Sequence, residues 1–356
     1  MNKKVLIVDD SALMRSFLSD IIKKENMFQV IDTAGNGVQA LKILESGNTY
    51  DLLLLDIHMP LMGGIELLKH IGNLEHKPIV IVISSEAHEG AKVTIQALEL
   101  GAFEFIAKPS SLLGSSKAVF QERLHKIIHH AIGANKAAKG EHHDWAARQS
   151  HEEEAKEITL RRGNHDKMIV IACSTGGPKA LQSVIPKLPA RINAPVLLVQ
   201  HMPEGFTESL AARLDELSQI KVVEASDGVS LKNGVVYIAK GGHQMRLLLD
   251  ERGVYRLSVS KEGARNGLKP CADILFESMV SYSFSSLTCV VLTGMGADGT
   301  KGITGLQTEN NYIIAQNAET STVYGMPKAI ADKGVVDEVL PLDQIADAIT
   351  KHVGVR

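Results

Sequence analysis

Apolar and polar positions follow two separate rhythms along this chain. In the first, short β-rich runs at Val5–Val8, Val30–Thr33, Leu52–Leu55, Ile79–Ile83 and Phe103–Ala107 predict strands. Between them, apolar residues recur with helical period in Ser11–Lys24, Gly37–Glu45, Gly64–Ile71 and Ala91–Leu100. Five strands with intervening helices predict an α/β domain with a doubly wound, five-stranded parallel sheet over residues 1–130. From about Gly133 the pattern dissolves into a stretch rich in Ala, Lys, Glu, Arg and His, which reads as a solvated linker over 131–167. It contains His142-His143, Glu152-Glu153-Glu154 and the single tryptophan, Trp145. The histidine pair lacks the companions of a metal site.

The second rhythm, over 168–356, predicts another doubly wound, mostly parallel α/β domain. Strands are expected at Met168–Ala172, Pro195–Gln200, Val235–Ile238, Thr288–Thr293 and Tyr312–Ala315. Helical patterns occupy Lys179–Lys187, Gly205–Leu217, Ala272–Tyr282 and Pro327–Lys333. Arg246–Ser260 alternates around Glu251-Arg252-Gly253 and predicts a hairpin inserted in the sheet.

Composition narrows the picture only modestly. A length of 356 residues agrees with two domains, and 44% apolar with 22% charged residues is ordinary for a globular protein. A formal charge of −3 points to neither nucleic acid nor a membrane surface. Cys173, Cys271 and Cys289 form no C-x-x-C pair, which fits a reduced intracellular chain. The opening run Val5–Val8 is too short for a signal-peptide core, and no stretch reaches the roughly 18 apolar residues of a spanning helix. The expected location is cytoplasmic, with no membrane insertion.

Chemistry-bearing residues cluster where predicted strands end. In the first domain these are Asp9-Asp10, Asp56, Ser84 and Lys108-Pro109. The carboxyl ends of strands in an open parallel sheet share one edge, so these groups should converge there. Three carboxylates at one edge repel, and a cation is the usual relief; oxygen donors with room for water suit Mg²⁺. An aspartate can attack phosphorus, while Mg²⁺ and a lysine neutralise the phosphoryl oxygens. Taken singly, a strand-end Asp is more often a helix cap than a nucleophile, and Lys-Pro is common turn chemistry. Together, Asp9-Asp10, Asp56-Ile57-His58-Met59-Pro60, Ser84 and Lys108-Pro109 make residues 3–125 resemble the receiver domain of two-component response regulators. The resemblance implies phosphorylation of Asp56 by a histidine kinase. It also implies Mg²⁺ held by Asp9, Asp10, Asp56 and the His58 carbonyl, phosphoryl contacts from Ser84 and Lys108, and Phe105 as the switch aromatic. Gly63 stands where that family usually has Asp, a departure expected to alter loop geometry rather than chemistry.

In the second domain, Ser174 ends a strand and precedes Thr175-Gly176-Gly177-Pro178. A small-residue turn into a helix exposes a nucleophile to substrate, although such a serine also serves as a cap. His201 in Gln200-His201-Met202-Pro203 and Asp298 in Thr293-Gly294-Met295-Gly296-Ala297-Asp298-Gly299 follow two further strands. Singly either could be structural; jointly they offer a base and its orienting carboxylate. Gly294, Gly296 and Gly299 also spell G-x-G-x-x-G, with Glu319 20 residues beyond. A nucleotide reading is disfavoured because Asp298 would face a pyrophosphate and fewer than about 60 residues follow.

These three segments, with Val236-Tyr237-Ile238-Ala239 and Val323-Tyr324-Gly325-Met326-Pro327-Lys328-Ala329, resemble the catalytic domain of the chemotaxis methylesterase (CheB) family. The resemblance covers nearly all of 168–350. It implies hydrolysis of glutamate methyl esters, and deamidation of specific glutamines, on cytoplasmic helices of methyl-accepting chemoreceptors. Control would come from the receiver. It implies a monomer with no nucleic-acid partner and no cofactor for the esterase. Ser174 would be the nucleophile, and Thr175 and the Met295 N–H would lie at the oxyanion. Cys173 is the competing nucleophile, expected to be buried. Two departures from the family, Cys271 for Ser and Asn317-Ala318 for an acidic pair, are expected to alter substrate contacts without touching Ser174, His201 or Asp298.

Overall fold

The computed structural model describes residues 3–25, 27–84, 88–109, 111, 114–137, 160–306 and 310–355. The His142-His143 pair, Trp145 and Glu152-Glu153-Glu154 lie outside the described residues.

In the first unit, Met1–Gly133, β1 (Lys3–Val8) leads into α1 (Ala12–Lys23), β2 (Phe28–Ala34), α2 (Gly37–Glu45), β3 (Leu52–Asp56) and α3 (Gly64–Ile71). Then follow β4 (Ile79–Ser84), α4 (His88–Glu99), β5 (Glu104–Ala107) and α5 (Gly114–Ala137). The strands pair in parallel in the order β2-β1-β3-β4-β5. Such an order reverses direction at β1/β3, and the crevice beside that reversal is where open α/β sheets hold ligands. All five residues of β3 are buried, which explains its unbroken leucine run: a strand covered on both faces has no polar side. Helices start at local caps. The Ser11 hydroxyl accepts from the Met14 N–H at 3.4 Å and the Asn36 side-chain Oδ1 from the Gln39 N–H at 3.0 Å. Caps of this kind contribute about 1 kcal/mol each.

The second unit, Ala134–Arg356, has β6 (Lys167–Cys173), α6 (Gly177–Val184), β7 (Val196–Gln200), α7 (Phe206–Leu217), β8 (Lys221–Glu224) and β9 (Val235–Ile238). The chain continues through β10 (Gln244–Leu249), β11 (Tyr255–Ser260), α8 (Ala272–Glu277), β12 (Ser286–Val291), α9 (Thr300–Thr304) and β13 (Asn311–Gln316). It ends with α10 (Met326–Ala331), β14 (Glu338–Leu340) and α11 (Ile345–Val353). The main sheet has seven strands in the order β14-β13-β12-β6-β7-β9-β8, parallel throughout. β6 is its central strand, and six of its seven residues are buried.

Three expectations change. The hairpin exists, but β10 and β11 pair antiparallel as a sheet of their own and not within the seven-stranded one. Met245, Leu247, Tyr255 and Leu257 turn into the same core as β6 and β12. The helix expected over Ala272–Tyr282 stops at Glu277, because the Ser278 hydroxyl donates to the Leu275 carbonyl at 2.6 Å and accepts from the Leu247 N–H at 2.9 Å. A side chain that bonds the backbone this way competes with the next helical turn. Within the expected linker over 131–167, α5 continues through Ala137, and Arg161 bridges to Tyr282 before β6 begins.

Candidate active site and acidic site

Parallel register sets the active-site geometry. Cys173 pairs with Gln200 across β6 and β7, so the next step along each strand is Ser174 beside His201. On the other flank the Ser174 N–H donates to the Thr293 carbonyl at 3.0 Å, just beyond β12. Ser174, His201 and the loop bearing Asp298 therefore leave three adjacent strand ends. Ser174 is half-buried and Asp298 is 8% exposed.

His201 Nε2 lies 2.7 Å from Asp298 Oδ2. That contact leaves Nδ1 as the ring nitrogen not engaged by the carboxylate. Asp298 also accepts from the Ala272 N–H at 2.6 Å and the Asp273 N–H at 3.0 Å, at the start of α8. Burial alone would push the Asp298 carboxyl up. The His201 contact and the two backbone N–H groups outweigh it and hold the group down at about 2. Asp298 is thus a fixed anion over the whole neutral range.

Cys271 corrects an expectation. Its thiol donates to Asp298 Oδ1 at 3.1 Å, so this residue does touch one of the three candidate residues. The strand-end reading missed it because Cys271 belongs to the segment entering α8, about a hundred residues from Ser174. Asn317 behaves differently: its side chain accepts from the Thr320 N–H at 3.2 Å and braces a local turn.

Gln200 is a second residue that strand-end reasoning passed over. It is 2% exposed, and its amide donates to the Ser174 carbonyl at 3.0 Å and the His201 carbonyl at 3.3 Å. Its oxygen accepts from the Cys173 thiol at 3.0 Å. A Cβ on Gly177 would lie 1.9 Å from that oxygen, which gives Gly177 its packing reason. The signal was present: a polar residue closing an otherwise apolar strand, next to a histidine. Gly176, at φ 77°, supplies the left-handed turn into α6.

Around Ser174, Thr175 is 5% exposed and its carbonyl accepts from the Thr293 hydroxyl at 2.9 Å. The Gly294 carbonyl turns inward, accepting from the Gly325 and Met326 N–H groups at 3.1 and 2.8 Å. The Met295 N–H finds no acceptor among the described residues. Gly294 has no room for a side chain: a Cβ there would sit 2.9 Å from that of Ser174.

The cysteines are poor nucleophiles by environment. Burial pushes the Cys173 and Cys289 thiols up, and burial with the Asp298 charge pushes Cys271 up to about 12. A disulfide-exchange reagent is therefore expected to modify none of the three in the native chain and all three in guanidinium. Rapid native labelling of Cys173 would count against this environment.

The first unit brings its acidic groups together. Asp9, Asp10 and Asp56 each offer a carboxylate oxygen, all within 4.8 Å of one another. Lys108 Nζ lies 2.8 Å from Asp56 Oδ2 and 3.0 Å from Asp9 Oδ2. Burial raises the Asp56 carboxyl and the Asp9 charge adds to this, against the pull of Lys108. Three carboxylates against one ammonium leave the pocket under-compensated, and the Asp9 Oδ2 atom is buried without a well-aligned hydrogen bond. The His58 N–H donates to Asp56 Oδ1 at 3.4 Å, while the His58 carbonyl has no donor among the described residues. An all-oxygen set of this kind fits Mg²⁺. The Ser84 hydroxyl is fully buried, with Thr94 Oγ1 at 2.7 Å, and Phe105 is buried in the core. Gly63 precedes α3 at an ordinary φ of −79° with no side-chain cap, so its effect is a missing cap rather than a bend.

Comparison with known proteins agrees with both units. Residues 169–349 match the CheB methylesterase family model, and residues 5–115 match the response regulator receiver domain. The chain is 39% identical to a protein-glutamate methylesterase/protein-glutamine glutaminase of Desulfotalea psychrophila, over 99% of each chain. It is 39% identical to one of Bacillus subtilis so named, over 98% of each. Among solved structures, the CheB methylesterase catalytic domain of Thermotoga maritima matches at 38% identity and a TM-score of 0.50. That match covers 54% of this chain and 99% of that one.

Proposed function

The chain belongs to the CheB methylesterase family and is a protein-glutamate methylesterase and protein-glutamine glutaminase, and from that premise we propose which residues act, on what, and under what control. The observation that carries the proposal is the 2.7 Å His201–Asp298 contact beside the strand end that bears Ser174.

His201 Nδ1 takes the proton from Ser174 Oγ as that oxygen attacks the ester carbonyl. Asp298 stabilises the imidazolium through Nε2 and keeps the ring in the tautomer that leaves Nδ1 as acceptor. Negative charge developing on the carbonyl oxygen is met by the free Met295 N–H, with Thr175 alongside. His201 returns the proton to departing methanol, or to ammonia when the substrate is a glutamine amide. Water, deprotonated by the same ring, then releases the glutamate carboxylate and restores Ser174. Substrates are the cytoplasmic helices of methyl-accepting chemoreceptors, and the enzyme works in the cytoplasm. Among the described residues no helix is long and apolar enough to cross a membrane.

Control comes from Asp56, which accepts a phosphoryl group from a histidine kinase. Asp9, Asp10, Asp56 and the His58 carbonyl would hold Mg²⁺, which supplies charge neutralisation at the phosphoryl oxygens when bound. Lys108 neutralises further charge there, and the Ser84 hydroxyl reaches a phosphoryl oxygen once it exchanges its present partners. Phosphorylation shifts the population towards the active arrangement, which requires the phosphorylated receiver to favour that arrangement energetically. Phe105 is the aromatic that reports the shift.

The test is methanol release from methylated receptor with and without a small-molecule phosphodonor. Wild-type protein should be stimulated, and Asp56→Asn should keep the basal rate with a stimulation ratio near one. Equal stimulation of both proteins would refute control through Asp56.

A further inference from the structure

A second group of ligand-bearing side chains lies in the receiver, away from the acidic pocket. His125 and His129 are one helical turn apart on α5 and so share a face. Glu25 follows α1 and precedes β2. His125 Nδ1 is 2.5 Å from Glu25 Oε1, and His129 Nε2 is 3.0 Å from Glu25 Oε2. The ring centroids are 4.2 Å apart, and one potential ligand atom from each of the three residues falls within 4.8 Å of the others. Phe28, at the start of β2, meets the His129 ring edge-on at 6.5 Å and limits its rotation. The group therefore sits where β2 begins, at the sheet edge opposite the carboxyl ends that carry Asp9 and Asp56.

The geometry points to a binding site for a divalent transition-metal ion of the Zn²⁺ class, held by Glu25, His125 and His129. Two imidazole nitrogens with one carboxylate oxygen form a donor set used by zinc with a fourth position open to water. Metal–ligand bonds of about 2.0–2.2 Å in a tetrahedron place donors roughly 3.3 Å apart. The present separations of 2.5 and 3.0 Å would open by about 0.8 and 0.3 Å, within reach of side-chain rotation alone. The His125 and His129 side chains are 50% and 37% exposed, leaving the open position on the solvent side. Two nearby basic side chains are engaged elsewhere: Lys126 pairs with Glu122, and His130 Nδ1 turns to the Lys126 carbonyl. Coordination needs both rings neutral, with the proton on His125 Nε2 and His129 Nδ1, and it involves no other bond change. Two nitrogen donors disfavour Mg²⁺, whereas the all-oxygen pocket at Asp56 favours it, so the two sites sort cations by donor type. A bound ion would join the end of α1 to α5 and stabilise the receiver by mass action.

The experiment uses the full chain, stripped of metal and kept in excess Mg²⁺, titrated with Zn²⁺ against a chromophoric chelator. One equivalent should bind and raise the unfolding temperature of the wild-type protein. His129→Gln and Glu25→Gln should weaken that binding by at least about tenfold, the loss that outer partners alone can carry. Asp56→Asn and a His142→Gln/His143→Gln variant should bind as the wild type does. The proposal is overturned if the wild type takes up no zinc, if His129→Gln binds equally well, or if only the His142/His143 variant loses the ion. Should the Glu25 or His129 variants fail to fold, X-ray absorption of the zinc-loaded wild type decides. A shell with two imidazoles supports the site, and an all-oxygen shell overturns it.

Discussion

Replacing Ser174 with alanine is expected to slow methanol release from methylated receptor by about 10⁶-fold, the scale at which serine hydrolases respond to loss of the nucleophile. The variant should fold as the wild type does. The Ser174 backbone contacts to Thr293 and Gln200 do not involve its hydroxyl, and Oγ has no hydrogen-bond partner among the described residues. Substrate binding should change little, so the loss falls on kcat rather than KM. Residual turnover above the uncatalysed rate would come from the Met295 N–H and from substrate binding. Methanol release at the wild-type rate would remove Ser174 from the mechanism and reopen the case for another nucleophile.

Asp298→Asn should cost about 10⁴-fold in kcat. Asp298 accepts from His201, Ala272, Asp273 and Cys271, and an amide cannot accept at both of its heavy atoms. If the amide nitrogen faces His201, the ring is driven into the tautomer with its proton on Nδ1, and the base is lost. In either orientation a backbone N–H, that of Ala272 or that of Asp273, is left buried and unpaired, at about 1–3 kcal/mol. Lower kcat with a reduced unfolding temperature is therefore expected, read by initial rates and thermal melts. Unchanged kcat would show that the carboxylate only anchors α8. The pH dependence of stability has a definite sign. The folded-state value of about 2 lies below the ordinary carboxylate value near ~3.9. The stabilisation from this ion is complete above the ordinary value and is lost as pH falls from there through the folded one.

Much of this was readable before any coordinates. β1, β3, β4 and β5, with α2 and α3, follow directly from apolar period, because each buries a continuous run or stripe. The strand-end positions of Asp56, Ser174 and His201 were readable because strand ends in parallel sheets share an edge. β8 and β14 were not anticipated: they are short edge strands, and a period of two over three or four residues carries little signal. α9 was missed for the same reason, with five residues and two threonines. The Cys271–Asp298 contact was invisible because no local pattern links a residue entering α8 to a loop after β12. The same limit hides Glu25 from His125 and His129, which are 100 and 104 residues away in sequence.

The central position of β6 bears on how the protein is made. β6 pairs on one side with β7, the next strand in sequence, and on the other with β12, which is synthesised much later. His201 and Asp298 are 97 residues apart, so Ser174 and His201 are both synthesised well before Asp298. A nascent chain can thus form half of the sheet, with Ser174 beside His201, yet lack the anion that orients the ring. The β6–β12 pairing is non-local and parallel, which makes the docking of β12 a late folding step.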